Sequence, residues 1–323
     1  MADSSLSWRL DQIPPQQGRR FLITGANSGI GYAAALELAR RGAVVLLACR
    51  DKSRGEDALQ RLRGSATGPD SAAAEAELVV LNLASLTDIR RVVKELEAGS
   101  LPLHGLINNA GVMAPPQRKQ TSDGFELQWG TNVLGHFALT VGLMPLLELG
   151  RSALPEDAPH IVTVASIAHK RGKLDFDDLN ATKSYNPMGS YSQSKLGDLM
   201  FAIELERRLR MRRFGAISIA VHPGVARTNL FKVGDSSGLA GVAERAIAWT
   251  IGTLLNSDLE GALPTLFAAT SKDAVGGAYY GPQGWLEMSG RTVGPAEISA
   301  AAQDRQAQSR LWSVCEEATG FHL

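Results

Sequence analysis

The chain has 323 residues, with 33 Lys and Arg set against 33 Asp and Glu and a formal net charge of zero. That balance leaves no basic stripe for nucleic acid or an anionic membrane surface. The apolar share of 44% provides for a substantial core, and the two distant cysteines, Cys49 and Cys315, form neither a disulfide framework nor a metal or redox spacing.

The first twenty residues lack the apolar stretch of a signal peptide. No uninterrupted apolar run reaches the ~18 residues of a membrane span. A soluble, cytoplasmic protein is expected. In chain order, an N-terminal arm (1–17) precedes short β-branched or Leu-rich runs, each followed by a longer helical pattern. These predict strands at 21–24, 44–49, 78–81, 105–107, 161–165 and 217–221, and helices near 30–41, 53–63, 85–97, 125–149 and 191–213. Beyond Val221 the pattern is irregular through Asp235. Helices near 237–255 and 259–270 follow, then a last strand within 276–282 and a C-terminal helix near 296–318. Continuous apolar strands alternating with helices mean a parallel sheet covered on both faces. The expectation is an α/β, Rossmann-type doubly wound domain spanning 18–323, with ligands at the carboxyl ends of the strands.

Between the first strand and its helix, "TGANSGIG" supplies Gly25, Asn27, Ser28, Gly29, Ile30 and Gly31. Glycines permit the tight turn and let a pyrophosphate approach backbone N–H groups at the helix N-terminus. Any strand-to-helix turn can need glycine. The strand–turn–helix context in the first unit of a doubly wound chain favours dinucleotide binding.

Further along, "LINNAG" ends the fourth strand with Asn109, Ala110 and Gly111, and "TNVLGHF" carries Asn132. "VTVASIAH" puts Ser166 at the end of the fifth strand, "YSQSK" holds Tyr191 and Lys195, and "HPGVART" holds Pro223, Gly224, Val225 and Thr228. In this order and spacing the motifs resemble those of the short-chain dehydrogenases/reductases. The 25 positions between Ser166 and Tyr191, with "LACRD" and "LINNAGVM", are similar to the retinol-dehydrogenase-like branch. That branch also resembles the WW-domain oxidoreductases and the light-dependent protochlorophyllide reductases. The N-terminal membrane anchor of many retinol dehydrogenases is not expected here.

The residues support the chemistry that the resemblance implies. A free phenol has a pKa near ~10, and a neighbouring cation lowers it. On a helix Tyr191 and Lys195 stand i and i+4, on one face and a turn apart. Tyr191 is therefore the expected general acid/base, with Lys195 lowering its pKa. Ser166 would donate to the substrate oxygen as charge develops. The resemblance further implies that Lys195 bonds the nicotinamide ribose and that Asn132 holds a water linking Lys195 to solvent. Taken singly, each has a plainer reading as packing, solvated face or turn residue.

The second strand ends on neutral Cys49, where an NAD-selective site places a carboxylate; Arg50 follows, with Asp51 one position further. Arg50 offers a guanidinium fork for a 2′-phosphate, or is simply a solvated loop charge. NADP(H) is favoured over NAD(H). Asn82 and Leu83 end the third strand where the family has Asp-Leu in contact with adenine. Ala110 and Gly111 should flank the adenosine ribose, and Pro223, Gly224, Val225 and Thr228 the nicotinamide end.

The six histidines show no zinc-binding spacing, so no metal is expected. His136 fits packing or a supporting hydrogen bond. The 237–255 stripe fits a lid, core or dimer face. The substrate pocket is expected from 169–189 and 225–323. Interfaces through the helices at 125–149 and 191–213 would give a homodimer or homotetramer, although the branch also has monomers. The expected activity is interconversion of an alcohol with a bulky or lipophilic aldehyde or ketone. Reduction of a conjugated carbon–carbon double bond and a non-catalytic NADP(H) sensor are the alternatives.

Overall fold

Every predicted strand forms, and the inner ones are buried on both faces because helices pack against both sides of the sheet. The computed structural model describes residues 8–66, 75–154, 157–224 and 256–323. Its strands are β1 (Arg20–Thr24), β2 (Val44–Cys49), β3 (Ala76–Val80), β4 (Gly105–Asn108), β5 (His160–Val164), β6 (Ile217–Val221), β7 (Tyr279–Pro282) and β8 (Val293–Pro295). They form one sheet in the order β3-β2-β1-β4-β5-β6-β7-β8, parallel through β7. β8 closes the edge antiparallel to β7. Three residues ending in a proline carry little strand signal, which is why β8 has no sequence counterpart.

The two-residue period of the strands sorts the core into two layers. Leu22, Leu46, Leu106 and Ile161 point to one face. It is covered by α3 (Leu86–Gly99), α4 (Gly135–Gly142), α5 (Met144–Ala153), α6 (Pro187–Met211) and α8 (Arg305–Thr319). Phe21, Ile23, Val45, Leu47 and Ile107 point to the other. There α1 (Gly29–Arg40), α2 (Lys52–Ser65) and α7 (Asp258–Thr270) pack on them. Polar caps begin the helices where the sequence offers them: Asp51 on α2, Ser85 on α3, Asn186 on α6, Ser257 on α7 and Asp304 on α8 each accept a first-turn N–H.

Three boundaries differ from expectation. The helix predicted over 125–149 starts at Trp129 as a π-wound turn, Trp129–Leu134, continues as α4, and bends by 51° into α5. Pro145 near the start of α5 cannot donate to the preceding turn. α6 begins at Pro187, so Tyr191 lies in its second turn rather than at its start. The arm is not detached over its described part: Trp8 bridges to Val293 and stacks edge-on against Phe267 at 5.6 Å, and Ile13 is buried. The predicted 237–255 helix lies outside the described residues, and the one predicted over 296–318 is a short turn, Ala300–Gln303, followed by α8. No single helix among the described residues is long and apolar enough to cross a membrane.

α8 covers the outer side of α4 and α6 within the chain, where the sequence had left room for a partner copy. Its Trp312 meets Phe137 at 4.9 Å and Phe201 at 6.0 Å, with the Arg208 guanidinium 4.4 Å from its ring centre. Removing a buried indole costs about 3–5 kcal/mol. Trp312→Ala is therefore expected to lose stability of about that size, measured by equilibrium urea unfolding.

Candidate active site

The strand order reverses between β1 and β4, and the glycine loop after β1 sits at that switch. Gly25 holds φ of +69°, and a Cβ there would lie 3.0 Å from Ala110 Cα. A Cβ on Gly31 would collide with Asn109 Nδ2 and come within 2.7 Å of Gly25 O. Both positions require glycine, and the backbone cradle they leave open is what a pyrophosphate needs. Ser28 takes the N-cap position of α1, while Ile30 turns toward α7, 3.2 Å from where a Cβ on Gly261 would sit. Arg61 braces the loop from α2: it donates to Asn27 O at 3.1 Å and lies 4.5 Å from the Tyr32 ring centre.

Thr24 joins the two sides of the switch. Its Oγ1 accepts from Asn109 N and Ala110 N, both at 2.9 Å, and meets His136 Nε2 at 2.9 Å. The other imidazole nitrogen, Nδ1, lies 2.8 Å from Asn132 O, so it carries the ring proton and Nε2 accepts from Thr24. Asn109 Nδ2 donates to Thr24 O at 2.8 Å. Asn109 therefore acts from behind the loop, whereas Ala110 and Gly111 line the cleft itself.

That cleft is also lined by Gly25, Asn27, Arg50, Asp51, Arg54, Asn82 and Leu83. Asp51 is committed elsewhere: its Oδ1 caps α2 by accepting from Arg54 N at 3.1 Å. Arg54 was not foreseen, because a second arginine one turn along a polar helix looks like ordinary surface. Asn82 uses the acceptor expected for adenine to accept from Ala84 N at 3.1 Å. At the other end, Pro223 O accepts from Asn256 Nδ2 at 2.9 Å, and a Cβ on Gly224 (φ +70°) would collide with Met288 O. Val225, Thr228 and the rest of 225–255 lie outside the described residues.

The four expected catalytic residues converge. Asn132, fully buried, accepts from Val112 N at 2.8 Å through Oδ1 and donates through Nδ2 to Val112 O and Ser194 Oγ, each at 3.0 Å. Its side chain thus ties the loop after β4 to α6. Ser166 Oγ accepts from Ala168 N at 3.2 Å, so its O–H can donate into the adjoining cavity. Lys195 Nζ lies 6.0 Å from the Tyr191 ring centre and donates to Val164 O and to Asp198 Oδ2, both at 2.8 Å. Burial pushes the Asp198 carboxyl up to about 6, against the pull of the Lys195 ammonium. Burial works to lower Lys195, but the charges of Asp198 and Tyr191 hold it above its ordinary value.

Tyr191 and Ser166 open onto a cavity of about 730 Å³. Most of its wall is apolar: Met113, Ile167, Ala168, Met188, Leu286 and Met288. Lys170 crosses one side, paired with Glu287 at 3.1 Å and Glu297 at 2.8 Å. Both segments expected to build the pocket contribute, 169–189 and the described part of 225–323; Met113, after β4, was not anticipated.

The sequence of residues 19–236 matches the short chain dehydrogenase family. The chain belongs to that family. It is an oxidoreductase acting on CH–OH donors, of the retinol-dehydrogenase-like branch. It is 38% identical to retinol dehydrogenase 14 of Mus musculus, over 94% of this chain and 86% of that protein. Identity to the polyprenol dehydrogenase of Mus musculus is 37%, over 95% and 86% of the two chains. Among solved structures, a protein from Mycobacterium paratuberculosis superposes with a TM-score of 0.74 at 35% identity, covering 98% of this chain and all (100%) of that one. A short chain dehydrogenase from Shigella flexneri complexed with NADP shares the fold at 18% identity, with a TM-score of 0.61 and coverage of 83% and 98%.

In this dehydrogenase burial favours the neutral form of five histidines. Burial lowers His136 and His222 to about 3, and lowers His104, His160 and His169 as well. His222 Nδ1 accepts from Gly224 N at 3.2 Å and so supports the turn after β6. The unfolded chain binds protons near pH ~6.5 that these folded histidines refuse, so stability is complete above that pH and falls as pH drops. Asp198, whose folded value is raised, acts in the opposite sense but is outnumbered. Between pH 7 and about 5.5 the loss should be about 1 kcal/mol for each of His136 and His222, measured by urea unfolding at the two pH values.

Proposed function

We propose that the chain is an NADP(H)-dependent oxidoreductase interconverting an alcohol and an aldehyde or ketone on a bulky, largely apolar substrate. The observation that carries this reading is the joint exposure of Tyr191 and Ser166 in a 730 Å³ cavity walled mainly by methionine, leucine, isoleucine and alanine. A cavity of that size and lining matches an apolar small molecule with one polar group to orient. The retinol and polyprenol dehydrogenases to which the chain is similar are named for lipophilic alcohols, in keeping with that wall.

The bound dinucleotide would lie along Gly25–Gly31, Arg50, Asn82, Ala110 and Gly224, and supplies or accepts the hydride. In the oxidation direction the Tyr191 phenolate takes the alcohol proton, and in reduction the phenol returns it to the carbonyl oxygen. Ser166 donates its O–H to that same oxygen, where negative charge builds. The Lys195 ammonium favours the phenolate. Asn132 holds Val112 and Ser194 together, so that the floor under both groups stays rigid.

The preference for NADP(H) is supported by Arg50 and Arg54 in one cleft, with the intervening Asp51 carboxylate committed to its helix cap. Two guanidinium groups suit a 2′-phosphate, whereas they lack the acceptor with which a carboxylate would bind a pair of ribose hydroxyls.

Tyr191→Phe should lower kcat on an aldehyde and ketone panel by ~10²–10⁴-fold while NADPH binding stays within about threefold. Retained activity in that variant would overturn the reading. Replacing both Arg50 and Arg54 by Ala should weaken NADPH binding at least about tenfold and leave NADH nearly unchanged, measured by fluorescence titration. An unaltered NADPH:NADH ratio would remove the cofactor assignment.

A further inference from the structure

We propose that Asp198 is a positioning residue of this site, aiming the Lys195 ammonium and tempering the positive charge that Tyr191 feels. The inference rests on the reading of Tyr191 as general acid/base and adds a third member to the Tyr191–Lys195 unit. An ammonium has three N–H donors. Two are spent inside the protein, on Asp198 Oδ2 and Val164 O at 2.8 Å each. With two directions fixed, tetrahedral geometry fixes the third. Lys195 Nζ lies 6.0 Å from the Tyr191 ring centre and 3.8 Å from where a Cβ on Gly111 would sit, at the edge of the cofactor cleft. Val164 O and Asp198 come from different elements, one on β5 and one a turn along α6, so neither alone would set the direction.

The carboxylate is not explained as a packing device. Lys195 is 4% and Asp198 1% exposed, and the second carboxylate oxygen, Oδ1, has no hydrogen-bond partner among the described residues. A well-packed apolar pair usually serves stability as well as a buried ion pair or better. What the carboxylate adds is charge. An isolated buried ammonium beside the phenol would favour the phenolate strongly, and a carboxylate on the same nitrogen cancels much of that field. The other titratable groups facing the pair do not compensate for it. On α6 there is only Tyr191. From the α4 side His136 is kept neutral by burial, and from α8 the buried Cys315 thiol is raised by burial and by the charges of Asp198 and Glu316.

The test separates charge from aim. Asp198→Asn keeps an oxygen acceptor for Lys195 and deletes the charge. The acid limb of the kcat/KM profile for alcohol oxidation should then move to lower pH by about one unit, with the KM for NADP+ within about twofold of wild type. Asp198→Glu keeps the charge and displaces the oxygen by one methylene. There the limb should stay within about 0.3 pH unit while kcat falls about tenfold or more. An acid limb that stays put or moves upward in the Asn variant overturns the inference. If that variant does not fold, an unchanged kcat in the Glu variant does so instead. Tyr191→Phe is run alongside: activity surviving there removes the reading of Tyr191 itself, whereas an inactive Phe variant with an unmoved Asn profile removes only Asp198.

Discussion

One hydroxyl holds the two halves of the site together. Thr24 ends β1 and receives the N–H groups of Asn109 and Ala110 from the end of β4, while its own proton serves His136 on α4. Parallel strands diverge where their ladder stops, and a cleft for a dinucleotide opens there only if the two loops hold their spacing. The Thr24 hydroxyl sets that spacing through Asn109 N, Ala110 N and His136, with Ile107 O a longer 3.3 Å away, and Asn109 Nδ2 adds a bond to the Thr24 carbonyl. Burial that keeps His136 neutral is part of the same arrangement, since a doubly protonated ring could not accept from Thr24.

The second support is the course of α6 across the sheet. Ser190, Ser192, Gln193, Ser194 and Lys195 are all buried, an unusual load of polar groups for one helix. The three largest commitments are tied down: Ser194 to Tyr191 O and Asn132, Gln193 to Leu179 O and Asp175 N, Lys195 to Val164 O and Asp198. Small residues are also required. A Cβ on Gly197 would stand 3.0 Å from the Trp129 ring and from Val133, so α6 and the π-wound turn are in close contact. That turn widens the helix at Asn132, which brings its amide to the Val112 backbone and its carbonyl to His136.

Much of the fold was legible because it is written in local pattern. Strands buried on both faces appear as unbroken apolar runs, and β2 and β6 were recovered to the residue. The break near Leu143 was missed because the apolar period of α4 and α5 runs through it, although Pro145 carried the signal. Trp8 looked like part of a loose arm because its partners, Val293 and Phe267, lie more than 250 residues away. Nothing in the sequence sets Asp198 apart, because a carboxylate three residues after a lysine on a helix is a common surface pattern, and only the packing of α8 and its neighbours buries the pair.

The sequence by itself determined which groups share a helical turn and which stand at strand ends. Those are short-range facts governed by the 3.6- and 2-residue periods. They sufficed for the dinucleotide loop, for Ser166, and for Tyr191 beside Lys195. Only the tertiary structure decided burial, the third partner of the lysine, the commitment of Asp51 to a cap beside Arg50 and Arg54, and the apolar wall over Tyr191. Those depend on which distant segments exclude water from a side chain, and exclusion of water decides how strongly each charge acts.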